Sequence, residues 1–165
     1  MILKLRVILD IEADVFRDVE LEEEGTLMDL HQAIVNAFEF DGSHLSSFYK
    51  SDDEWYQGEE IPLESMDDNI APMEEVPLTD CFYDAHRRMI YVYDYLDMWT
   101  FLVELVETKE PEPGVHYPAL TLVYGQRPEQ APDTNFEGDT SKNNDIFDGD
   151  DSFDQFDYDE DLNDY

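Results

Sequence analysis

Early in the chain the hydrophobic period changes from two to nearly four, and that switch narrows the folds open to it. Leu3, Leu5, Val7, Leu9 and Ile11 alternate with Lys4, Arg6 and Asp10, the pattern of a strand with one buried face. Glu12, Ala13 and Asp14 supply a turn, and Val15, Arg17, Val19 and Leu21 alternate again, so the second run returns antiparallel beside the first. Past the charged residues 22–25 the spacing becomes helical: Leu27, Leu30, Ile34, Ala37 and Phe38 recur at three- and four-residue intervals. Thr26, with Asp29 three positions later, reads as a capping-box start, and Asp41 with Gly42 as a stop. A helix with one apolar face that leaves a hairpin buries that face on the hairpin's sheet, which predicts an α+β domain.

The remaining elements follow from composition and punctuation. Residues 45–50 and 54–57 read as a second hairpin around Ser51, Asp52 and Asp53, with Phe48, Tyr49, Trp55 and Tyr56 supplying β propensity. The acidic residues 64–75, bracketed by Pro62 and Pro77, predict a long loop, and residues 78–84 a short helix capped by Thr79. Residues 89–95 and 99–107 alternate as a long hairpin turning at Leu96, Asp97 and Met98; residues 119–124 are a last short strand. The order is ββαββ, a loop, then βββ: one main helix on a mixed or antiparallel sheet.

Charge sorts the functions. The 165 residues carry 43 acids against 9 Lys and Arg, a net charge of −34, while 42% hydrophobic and 13% aromatic content still allows a real core. Residues 133–165 hold 13 acids and the single base Lys142 with no periodic apolar face, so they read as a disordered acidic tail behind a folded domain of residues 1–132. The domain itself carries −22. Such an excess repels phosphate backbones and anionic membranes, which argues against direct nucleic-acid or membrane binding and for a basic protein partner. No apolar run approaches the ~18 residues of a membrane span, and the alternating N-terminus is unlike a signal sequence, so a cytoplasmic protein is expected. The lone Cys81 excludes an intrachain disulfide.

Two stretches carry a family resemblance. Thr26-Leu27, Asp29-Leu30-His31, Ile34, Ala37-Phe38, Phe40, His44-Leu45 and Phe48 follow the spacing of the plasmid pRiA4b ORF-3-like family, and Tyr91-Val92-Tyr93-Asp94-Tyr95-Leu96-Asp97-Met98-Trp99 resembles its second signature, Tyr-x-Tyr-Asp-Phe-Gly-Asp-x-Trp. Arg17 after an aromatic, and Tyr117-Pro118 before the last strand, fit its order. The resemblance implies a β-grasp-like α+β domain and no particular reaction. Leu96 stands where the family usually has Gly, Phe101 where it has His, and Arg127-Pro128-Glu129-Gln130 replaces a Pro-Glu-Asp and paired-glycine segment. Some members carry a resolvase label. With five scattered arginines and −22 on the domain, recombinase chemistry on DNA is rejected here.

Candidate sites each have a functional and a structural reading. His31, His44, Asp94 and Asp97 offer the imidazole and oxygen donors a divalent ion accepts. Equally, imidazoles bond carbonyls or carboxylates, and acids at a hairpin end bond turn amides, and this structural role is the expected one. Trp99 with Tyr91, Tyr93 and Tyr95 forms either an aromatic ligand shelf or core. Cys81 and His86 have no fixed geometry as a thiol and base, and a buried thiol is expected. In the tail Phe147, Phe153, Phe156 and Tyr158 are spaced among acids, as in segments that fold onto a basic groove; the alternative is a solubilising tail. No cofactor is implied. The expectation is a non-enzymatic binding module for a basic partner, with nucleic-acid mimicry as a variant of that reading and a small-molecule or metal-dependent enzyme centred on His31 and the Asp94 to Trp99 turn as the alternative.

Overall fold

A computed structural model describes residues 1–83 and 85–131. Seven strands, β1 (Ile2–Leu9), β2 (Phe16–Glu22), β3 (Ser46–Lys50), β4 (Glu60–Pro62), β5 (Arg88–Tyr93), β6 (Trp99–Lys109) and β7 (Ala119–Tyr124), form one sheet in the order β4-β3-β5-β6-β1-β2-β7. Every pair is antiparallel. Among the described residues the one α-helix, α1 (Leu27–Ala37), lies between β2 and β3 in sequence. The expected element order is present, and the sheet is antiparallel throughout.

The period-two runs fix which face is covered. Leu3, Leu5, Val7 and Leu9 are buried, and register sets Leu5 beside Val19 and Leu105, and Leu9 beside Phe101. On the same face Phe48 pairs with Tyr91, and Tyr91 with Phe101. Leu27, Leu30, Ile34 and Phe38 of the helical segment are also fully buried. Each such side chain contributes about 1.5–3 kcal/mol of transfer free energy, so this face is the core. Thr26 and Asp29 form the expected capping box, with the Asp29 carboxylate accepting from the Thr26 backbone N–H at 2.9 Å.

The helix ends earlier than Gly42. Phe38 is its C-cap, Glu39 takes the left-handed conformation at φ 62°, and Phe40 N–H donates back to the Val35 carbonyl at 2.9 Å. That is a Schellman closure with Glu where Gly is usual. Two arginines complete it. Arg17 donates to the Ala37 carbonyl at 3.2 Å, and Arg127 to the carbonyls of Phe38 at 2.7 Å and Glu39 at 3.3 Å. Cations there satisfy orphan carbonyls and oppose the negative end of the helix dipole.

Two sequence expectations are corrected. Residues 54–57 are not a strand: Asp52 Oδ1 accepts from the N–H of Glu54 at 2.9 Å and of Tyr56 at 3.0 Å, and Trp55 sits at φ 60°. This side-chain turn outweighs aromatic β propensity, and β3 pairs with Glu60–Pro62 instead. The expected helix over 78–84 is a 3-10 turn, Leu78–Asp80, preceded by Pro77 rather than capped by Thr79. The acidic loop is present, but its end is pinned: Met73 and, just beyond it, Leu78 are buried in the core, and the Val76 carbonyl between them accepts from Leu27 N–H at the start of α1. The tail candidates Phe147, Phe153, Phe156 and Tyr158 lie outside the described residues.

Candidate functional site

Most of the described residues singled out in the sequence are held by their own neighbours rather than gathered at one point. His31 is buried, its Nδ1 2.7 Å from the Tyr91 hydroxyl and 3.1 Å from Ser46 Oγ. Burial pushes its pKa below the ordinary 6.5, so the ring is neutral at pH 7, and its tautomer decides which partner of each contact donates. The same burial raises the Tyr91 pKa, which keeps that phenol protonated.

Asp94 is buried and takes φ 69°. Its Oδ1 accepts from the N–H of Leu96 at 3.0 Å and of Asp97 at 3.4 Å, and its carbonyl accepts from Met98 N–H at 2.6 Å. Asp94 therefore builds the turn. Its Oδ2 lies 3.7 Å from the Nδ1 of the exposed His44, whereas Asp97 is exposed. His44 and Asp94 approach each other, His31 is occupied by Tyr91 and Ser46, and Asp97 stands apart. Among the described residues no group of three or more His, Cys, Asp or Glu side chains is placed to hold a metal ion.

Trp99, Tyr91 and Tyr93 are core residues rather than an open shelf; only Tyr95 of that set is exposed. Phe40 stacks on Tyr93 at 4.4 Å and meets Trp99 edge-on at 5.4 Å. Tyr93 donates to Asp41 at 3.2 Å, and Asp41 is held below the usual carboxylate range chiefly by the Ser43 backbone N–H. Cys81 is fully buried and its thiol is pushed up to about 12 by that burial, while His86 Nδ1 bonds the Cys81 carbonyl at 2.6 Å. A thiol with so little thiolate, and a base turned to the carbonyl, form no nucleophile–base pair.

Sequence reasoning missed the charges on the face away from α1. Asp18 and Glu20 are buried there, Arg6 grips Asp18 through bonds of 2.8 and 2.9 Å, and Lys109 meets Glu20 at 2.9 Å. The hairpin register puts Arg6 opposite Asp18 and Lys4 opposite Glu20, a cross-strand charge pattern readable from the alternate positions of the two runs. It also missed a groove of about 750 Å³ between β4 and the acidic loop. Glu59, Glu60, Glu64, Asp67 and Asp80 line it against the single cation Lys50, with Ile61, Ile70 and Val76 as apolar wall.

The sequence pattern of the plasmid pRiA4b ORF-3-like protein family matches residues 1–143. The chain belongs to that family. Among solved structures, the family member described here is similar to the crystal structure of a protein of unknown function, MM3350 from Methanosarcina mazei Go1. The two share 24% identity over 74% of this chain and 68% of the other, with a TM-score of 0.65. That likeness bears on the fold alone. No curated protein matches the chain. Its departures from the plasmid pRiA4b ORF-3-like pattern have local explanations. The left-handed positions of the β5–β6 turn are Asp94 and Met98, so Leu96 needs no glycine. Phe101 is fully buried against Phe38 at 4.7 Å, and Arg127 ties the end of the domain to α1.

Proposed function

We propose that this plasmid pRiA4b ORF-3-like protein is a non-enzymatic binding module for a basic protein partner, working in the cytoplasm. The observation that carries the reading is the groove beside β4, where five carboxylates and one lysine surround an apolar wall. Long-range attraction brings a cationic surface to such a groove, and apolar insertion then holds it. The domain charge of −22 and the acidic composition of residues 133–165 act in the same direction. A β-grasp-like description of the domain rests on α1, the single α-helix among the described residues, laid across one face of the sheet.

The enzyme alternative draws its support from His31, a neutral imidazole between two hydroxyls. Those hydroxyls bond the ring itself, and the acidic groove is lined by other residues. The binding reading is the stronger one.

The test is affinity capture from a host lysate at ~150 and ~500 mM salt, a range over which exposed charge contacts weaken steeply. The full chain is compared with a Glu59→Gln, Glu64→Gln, Asp80→Asn variant. A basic protein retained by the wild type at low salt, and lost with the variant or at high salt, supports the reading. Equal retention by both chains, or none by either, refutes it.

A further inference from the structure

The two edges of the sheet are unlike. β4 is three residues long, ends in Pro62 and carries Glu60, the short, charged, proline-bearing edge with which proteins block strand addition. β7 is six residues, Ala119–Tyr124, with no charge and no proline. Leu120, Leu122, Val123 and Tyr124 are 49%, 40%, 56% and 53% exposed, on both faces of the strand. One side of β7 is bonded to β2, and among the described residues no strand pairs with the other. Gly125 locks its end onto the hairpin: at φ 77° it packs so closely on the Asp14 carbonyl that no Cβ fits.

The surroundings of that edge specify what it accepts. A groove of about 260 Å³ runs between α1 and β7, walled by Val19, Ala33, Ala37 and Leu120. It is sized for one or two aliphatic side chains. At its Pro118 end a recess of about 480 Å³ is lined by Glu22, Glu24 and Asp29 and has no basic residue. We infer that the edge of β7 with which no described strand pairs adds an extended segment of a partner protein as an eighth strand. Alternate apolar side chains of that segment enter the α1–β7 groove, and a Lys or Arg reaches Glu22, Glu24 and Asp29. Strand addition supplies main-chain hydrogen bonds, and the pockets for alternate side chains supply selectivity. A second copy of this chain is a poorer occupant, because it brings another −22 to the contact. The surface lies at the opposite sheet edge from the groove beside β4, so the two proposals fail separately.

The probe is an end-blocked peptide of about nine residues alternating Val and Lys, titrated against the full chain by fluorescence anisotropy. Its control has the same charge but two central prolines, which cannot join a ladder. The expected result is binding at least roughly tenfold tighter than the control, lost in a Leu120→Lys, Val123→Lys variant and kept in the Glu59→Gln, Glu64→Gln, Asp80→Asn variant. Hydrogen exchange of the wild type, with slowed amides in residues 119–124 on peptide addition, gives the same answer without any substitution. Equal binding of both peptides, unchanged exchange in β7, or a wild-type dimer dissociated by Leu120→Lys with Val123→Lys would each overturn the inference.

Discussion

The Arg127 guanidinium stands over the Trp99 indole, 5.2 Å from the ring centre, and over Phe40 at 4.4 Å, while donating to the Phe38 and Glu39 carbonyls. One side chain thus links the β5–β6 turn, the end of α1 and the last described segment. A guanidinium does this through its plane and its fork of donors, which an ammonium lacks. Arg127→Ala is expected to lower stability by about 1–2 kcal/mol, with Arg127→Lys recovering less than half. Urea denaturation measures both.

Glu39 occupies a left-handed position at φ 62°, where a side chain costs about 1 kcal/mol. Glu39→Gly is therefore predicted to stabilise the domain by about 0.5–1 kcal/mol, a small rise in thermal midpoint read by calorimetry. The Glu39 carbonyl stays available to Arg127.

Asp94 separates turn support from a binding role. Asn tolerates the left-handed region and accepts the same two amide bonds, so Asp94→Asn should stay within about 0.5 kcal/mol of wild type. Asp94→Ala loses those bonds and keeps the strained φ of 69°, at a cost of about 2 kcal/mol. Chemical denaturation of the two variants decides it.

His31 makes stability depend on pH in a known direction. Its folded pKa lies below 6.5 because burial disfavours the cation, so the unfolded chain binds the proton more readily. The stabilisation is complete above the unfolded pKa and is lost as pH falls from there towards the folded value, by up to about 1.4 kcal/mol per pH unit. A His31→Gln variant should show a flatter profile through that window, measured as the urea midpoint at stepped pH.

The β1–β2 hairpin, α1 and the β5–β6 hairpin are legible because each carries a strong period and local punctuation. Thr26 with Asp29 marks the helix start without tertiary help, and Asp94 reads as a turn acid. The rest depends on contacts distant in sequence. Trp55 and Tyr56 have strand propensity, yet Asp52 captures their backbone. Glu39 ends α1 because Arg17 and Arg127, from two remote segments, cover its carbonyls. The groove beside β4 is equally silent in the sequence: Glu64 and Asp67 read as part of a plain charged loop, Asp80 as part of a short helix, and nothing local brings them beside Glu59 and Glu60 until Met73 and Leu78 are buried in the core. The burial of Asp18 and Glu20 had a signal, the opposite charges in register on β1, but it needs the hairpin pairing before it can be read.

The most direct measurement is chemical-shift mapping of the captured basic partner, unlabelled, onto the nitrogen-15-labelled full chain. The account predicts perturbations at residues 59–71 around the acidic groove, with His31, Asp94 and Trp99 undisturbed. Perturbations centred on His31, Asp94 and Trp99, with the groove unchanged, would contradict it.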